Sequence, residues 1–160
     1  MTRRLPPDFA DLFECLEDAE VEYMLVGGYA VNAYGYLRTT EDLDIWVRPS
    51  PENAARVTAA MRVFGMPPGF SADDLARIDG PPPTGVRFGR RPFAVALLTS
   101  IQGMVFDDAW AGSTVRDFGG LQVRVIGLTE LLTNKRATKR LKDAADVQEL
   151  ERLLATGEIE

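Results

Sequence analysis

Apolar and polar positions along this chain change period from segment to segment, and each change marks an element. Phe9, Leu12, Phe13 and Leu16 recur at i, i+3, i+4 and i+7, which predicts an amphipathic helix with Asp8 as its N-cap. Tyr23-Met24-Leu25-Val26 is an apolar run of strand length, and a helix is predicted over about residues 29–36. In Asp42-Leu43-Asp44-Ile45-Trp46-Val47 the period falls to two. A strand there puts Asp42 and Asp44 on one face and Leu43, Ile45 and Val47 on the other. Ser50-Pro51-Glu52 opens a further helix, with Ala54, Val57, Met61 and Phe64 as its buried face and Gly65 as its stop.

Residues 66–85 break the periodicity with Pro67-Pro68 and Pro81-Pro82-Pro83, and Ser71-Ala72-Asp73-Asp74 predicts a capping box for one short helix. The interval reads either as a substrate-facing insertion or as an inert surface loop. Residues 93–98 form a continuous apolar run, and residues 115–118 and 121–126 predict a hairpin turned at Gly119-Gly120. Helices are predicted over 128–135 and 143–154, the second with Val147, Leu150 and Leu154 on one face and Gly157 beyond its end. Four to six strands interleaved with helices predict an α/β fold with a mixed sheet, in one domain spanning residues 1–160.

Composition narrows the chemistry. The 160 residues are 46% hydrophobic, enough for one core, and no segment is apolar for long enough to cross a membrane. Met1-Thr2-Arg3-Arg4 leads into Leu5-Pro6-Pro7 rather than an apolar h-region, so a secretory signal is not expected and the cytoplasm is the expected compartment. The lone Cys15 falls in the first helix and reads as a packing residue. With no histidine and one cysteine, Ser-His-Asp and Cys-His catalysis and the usual zinc sites are excluded. Carboxylates must carry any chemistry, and oxygen-only ligation favours Mg²⁺ or Mn²⁺.

Two features meet that requirement. Gly27-Gly28 lies where a strand gives way to a helix, a place where backbone N–H groups can meet phosphate. Asp42 and Asp44 stand at strand spacing beside Ile45 and Trp46, and two such charges need a cation or hydrogen bonds to offset repulsion and desolvation.

Gly27-Gly28, thirteen intervening residues and Asp42-Leu43-Asp44 resemble the DNA polymerase β-type nucleotidyltransferase superfamily, whose motif is a glycine pair, a helix and Asp-x-Asp on the next strand. Arg38-Thr39-Thr40-Glu41-Asp42-Leu43-Asp44 is similar to the branch containing the AbiEii-like toxins of bacterial toxin–antitoxin systems. The run from Lys135 through Lys139, Arg140 and Lys142 to Asp143 and Asp146 resembles that branch's C-terminal motif. The resemblance implies a minimal nucleotidyltransferase fold and a metal-dependent transfer from an NTP to an acceptor hydroxyl, with release of pyrophosphate. It implies metal ligation by Asp42 and Asp44, phosphate contacts by Gly27, Gly28, Arg38 and Lys135, and supporting roles for Asp143 and Asp146. Its acceptor would be tRNA, and a cognate antitoxin would be its protein partner. Lys135, Lys139 and Lys142 also fit the plainer reading of a solvated cationic helix face.

At one position the chain departs from that branch. Where its members carry a third catalytic Asp before Leu-Leu-Thr-Ser-Ile, this chain has Ala96. Ala96 is either natural to the chain or an introduced Asp-to-Ala replacement, and in both cases it predicts weakened chemistry with nucleotide binding less affected. A net charge of −6 and a pI near 4.8 argue against a broad nucleic-acid footprint, leaving local clusters at Arg87, Arg90 and Arg91 and at residues 135–142. Two alternatives stay open: a small-molecule nucleotidyltransferase of the aminoglycoside-modifying type, and a non-catalytic nucleotide-binding module.

Overall fold

A computed structural model describes residues 4–67, 70–77 and 79–159. Pro68 of the proline-rich interval and Met1, Thr2 and Arg3 of the amino-terminal stretch lie outside the described residues. Six strands form one mixed sheet: β1 (Tyr23–Val26), β2 (Asp42–Val47), β3 (Thr84–Phe88), β4 (Ala94–Ser100), β5 (Thr114–Phe118) and β6 (Leu121–Val125). Their order across the sheet is β3-β4-β2-β1-β6-β5. The pairs β1/β2, β3/β4 and β5/β6 are antiparallel, while β1/β6 and β2/β4 are parallel. The helices are α1 (Pro7–Asp18), α2 (Gly27–Ala33), α3 (Pro51–Phe64), α4 (Phe106–Ala111), α5 (Leu128–Thr138) and α6 (Leu141–Ala155), with a 3-10 turn at Ala72–Ala76. This is the expected α/β architecture. No helix among the described residues is long and apolar enough to cross a membrane.

Helix α1 buries the predicted stripe of Phe9, Leu12, Phe13 and Leu16 against α3 and the sheet. Its start differs from expectation: Pro6 is the N-cap and Asp8 lies inside the first turn, because Pro7 at the first helical position already supplies the required φ. In α3 the Ser50 Oγ accepts the Asn53 N–H at 3.1 Å, and Gly65 caps the other end at φ 123°. The Ser71 side chain makes no capping bond, so the predicted capping box is absent and the Ala72–Ala76 turn rests on burial of Leu75. Two elements escaped the sequence patterns. Strand β3 follows three prolines and contains Gly85, and α4 is only six residues long.

The second C-terminal helix also turns a different face inward. Asp143, Asp146, Leu150 and Leu153 are its buried residues, whereas Leu154 is 37% exposed. The inward stripe therefore starts with two carboxylates, which a purely apolar pattern cannot reveal.

A buried amide ties α3 to the sheet's central strands. Asn53, 1% exposed, accepts the Glu22 N–H at 2.8 Å and donates to the carbonyls of Glu22 and Arg48, each at 3.0 Å. It thereby clamps the entry of β1 to the exit of β2. Replacing Asn53 with Ala leaves these backbone groups unpaired in the interior and should cost about 1–3 kcal/mol in chemical denaturation. A change below about 0.5 kcal/mol, the usual range for surface substitutions, would refute the clamp.

Candidate functional site

Strand registry builds the site from four neighbouring strands. Val26 of β1 pairs with Asp44 of β2, Asp44 with Ala96 of β4, and Ala96 with Arg87 of β3. Residues paired across a sheet project to the same face, so Arg87, Ala96 and Asp44 form a row about 5 Å per step, with Asp42 one pleat along β2. Trp46 continues that face and packs edge-on against Phe106, with ring centroids 5.2 Å apart.

Immediately after Val26 the chain turns at Gly27, whose φ is +68°. A Cβ there would overlap Asp44 Oδ2, and a Cβ on Gly28 would overlap Thr40 Oγ1. Both glycines are required for the close approach of the turn to the carboxylate strand. Helix α2 opens at Gly27 itself and spans seven residues, so the glycines lie within its first turn and it is displaced from the expected 29–36.

The two carboxylates differ in setting. Asp42 is partly exposed and lies 3.7 Å from Arg91 Nε, which is also 3.1 Å, through its Nη1, from Glu41. Asp44 is more enclosed, and burial pushes its carboxyl up to about 6; Arg87 opposes that shift, Asp42 adds to it, and Lys135 and Arg140 oppose it in turn. Ala96, 1% exposed, brings no charge to the row. Among the described residues no group of three or more His, Cys, Asp or Glu side chains is placed to hold a metal ion. Two carboxylates on one face suit a single hard cation whose other ligands come from water or a phosphate-bearing substrate.

Beside the carboxylates lies a buried ion network. Lys135 is 4% exposed, and its Nζ donates to Asp143 Oδ1 at 2.9 Å and lies 3.1 Å from Asp146 Oδ2. Asp143 also accepts from Thr138 Oγ1 and from Arg140 Nε at 2.7 Å. Asp146 accepts a two-pronged pair from Arg38, Nε at 2.7 Å and Nη2 at 2.8 Å. Burial alone would raise both carboxyls. The hydrogen bonds and adjacent cations prevail: Thr138, Lys135 and Arg140 hold Asp143 below the usual carboxylate range, and Arg38 and Lys135 do the same for Asp146.

This network revises the reading of the basic segment. Helix α5 ends at Thr138 and Lys139 adopts a left-handed φ of 59°, so Lys135, Lys139 and Lys142 do not share one helical face. Lys135 points inward instead of standing on a solvated surface. Arg140 is the residue the sequence reading left without a role; its spacing of three from Asp143 on the same helix entry was the available signal.

Most of these groups border one cavity of about 380 Å³, which reaches from Gly27 and Gly28 past Asp42 and Asp44 to Arg38, Arg87, Lys135 and Asp143; Asp146 and Ala96 stand behind its wall. Six cationic and four acidic side chains line it. In a chain of net charge −6 this pocket carries local positive excess, which suits an anionic ligand.

The fold has a counterpart of known structure. A solved protein of Thermotoga maritima, assigned provisionally to the nucleotidyltransferases, superposes with a TM-score of 0.58 over 96% of this chain and 97% of that one, at 14% identity. The chain thus has a nucleotidyltransferase-like fold. No protein-family model and no curated protein matches the sequence.

Two measurements probe the electrostatics. The folded state holds the Asp44 proton more tightly than the unfolded chain, so Asp44 favours folding below the unfolded value near 4 and loses that contribution as pH rises through about 6. Asp44→Asn should therefore raise the unfolding free energy by about 1–3 kcal/mol at pH 8 and converge on the parent below pH 4. The paired Asp143 and Asp146 run oppositely: their contribution is present above the unfolded value and is lost as pH falls through their depressed folded values. Lys135→Met should cost about 3–5 kcal/mol at pH 7, with the deficit shrinking on acidification. Equal deficits at pH 7 and pH 3 would refute that account.

Proposed function

We propose that this protein is a metal-dependent nucleotidyltransferase that binds an NTP in the cavity between Gly27-Gly28 and Lys135. The observation that carries the reading is the convergence of the glycine turn, the Asp42 and Asp44 carboxylates and a cation-rich wall on one pocket. The nucleotidyltransferase-like fold supports it.

In this reading Asp42 and Asp44 hold Mg²⁺ or Mn²⁺ against the triphosphate. The bound cation supplies charge neutralisation where the phosphates gather. Gly27 and Gly28 let the triphosphate approach the backbone, since a side chain at either would already overlap Asp44 or Thr40. Lys135, fixed by Asp143 and Asp146, sets the positive potential of the wall, and Arg38, clamped on Asp146, extends it. An acceptor hydroxyl attacks the α-phosphorus in line. The bond from acceptor oxygen to phosphorus forms as the bond to the β-phosphate oxygen breaks, pyrophosphate leaves with the electron pair, and the hydroxyl proton passes through the Asp44 carboxylate to solvent.

The proposed acceptor is tRNA and the proposed setting a toxin–antitoxin pair, on the strength of the Arg38 to Asp44 and Lys135 to Asp146 motifs. Arg87, Arg90 and Arg91 on and beside β3 offer the local charge that an RNA end would need. Ala96 lowers the rate, because the row from Asp44 to Arg87 has a methyl group where a further carboxylate would activate the hydroxyl.

Incubation with Mg²⁺ or Mn²⁺, labelled NTPs and total tRNA tests the reading. Label should enter RNA, Ala96→Asp should increase it several-fold, and Asp44→Asn should abolish it. Absence of metal-dependent label in any acceptor, including aminoglycosides, for both the parent and Ala96→Asp would overturn the assignment.

A further inference from the structure

Arg87 is placed differently from most other cations of the cavity. Lys135 is held by Asp143 and Asp146, Arg38 by Asp146, Arg140 by Asp143, and Arg91 by Glu41 and Asp42. The Arg87 side chain has no hydrogen bond, and no ion pair within 4.0 Å, among the described residues. Yet it stands in register with Ala96, which stands in register with Asp44, so all three project from the same face of the sheet. It borders the cavity of the carboxylates and two neighbouring ones, of about 440 Å³ toward Thr84 and about 420 Å³ toward Ala94.

The small side chain at Ala96 explains how such a long cation can serve the site. Between Asp44 and Arg87 there is only a methyl group, so the guanidinium can lean across β4 toward the carboxylates without displacing anything. A bulky apolar residue at that position would fill this path. An uncommitted planar donor fork beside two carboxylates, in a cavity with excess positive charge, matches a phosphate group bridging metal and arginine.

We propose that Arg87 is a direct ligand of the nucleotide phosphates, and that it takes the place of a second divalent cation, so that the site works with one metal ion per nucleotide. The inference rests on the nucleotidyltransferase reading and deepens it. Asp42 and Asp44 supply the protein ligands of that one ion. Arg87 supplies fixed positive charge on the side of the phosphates next to Ala96, where, among the described residues, no third acidic side chain joins Asp42 and Asp44 to hold another ion. It needs no metal-dependent assembly, since its strand is already hydrogen-bonded to β4.

The test uses the full chain with α,β-methylene-ATP, whose bridging carbon prevents transfer, and Mn²⁺. Calorimetry gives nucleotide affinity, and equilibrium dialysis gives Mn²⁺ retained per bound nucleotide above a nucleotide-free control. The parent should retain one Mn²⁺ per nucleotide. Arg87→Ala should weaken binding at least about tenfold, a loss of about 1.4 kcal/mol, with an unchanged thermal midpoint because the side chain is exposed. Arg87→Lys, which keeps the charge and loses the fork, should fall between the two. Two Mn²⁺ per nucleotide in the parent, or Arg87→Ala within twofold of the parent, overturns the inference while leaving nucleotide binding intact. Failure of the parent to bind the analogue with metal would remove the functional reading itself, and this inference with it.

Discussion

The Lys135 ammonium between Asp143 and Asp146 is the constraint on which the rest of the site depends. Taking an ion out of water costs several kcal/mol, and only complete hydrogen bonding with opposite charge makes that tolerable. Here Lys135, Arg38 and Arg140 oppose two carboxylates that are 0% and 1% exposed. These contacts join parts of the chain that the sheet does not connect. Asp146 reaches from α6 to Arg38 on the loop ahead of β2, so the segment delivering Asp42 and Asp44 is anchored to the C-terminal helices across 108 residues of sequence. Position, more than stability, is what such a network provides.

Against that anchored wall the sheet places groups that do not favour one another. Asp44 is enclosed beside Asp42, and burial, with Asp42 adding to it, raises its carboxyl above the usual range. The turn at Gly27 presses directly on its Oδ2 side. A carboxylate pair in this setting is a local liability held in place by the surrounding registry.

Much of the fold was legible because its patterns are local. The Phe9 to Leu16 stripe, the alternation from Asp42 to Val47 and the hairpin around Gly119-Gly120 each declare their period within a few residues. Strand β3 was not legible: Pro81-Pro82-Pro83 and Gly85 argue against a strand, and only antiparallel pairing with β4 compensates. The candidate site divides the same way. Asp42, Asp44 and the glycines are adjacent in pattern and could be singled out. The inward turn of Lys135 could not, since a lysine among lysines reads as surface until Asp143 and Asp146 are seen to point at it. The break at Lys139, a non-glycine residue in the left-handed region, carried no sequence signal.

The position of Ala96 has a consequence for how such a site changes over generations. Its Cβ lies in the middle of a parallel pairing whose backbone bonds are indifferent to the side chain, and its neighbours on the row are a carboxylate and an arginine. Two of the four alanine codons differ from an aspartate codon by one base. A single nucleotide change there would switch the charge balance of the pocket while leaving every strand where it is, so a lineage carrying this fold could lose and regain a carboxylate without ever rebuilding the sheet.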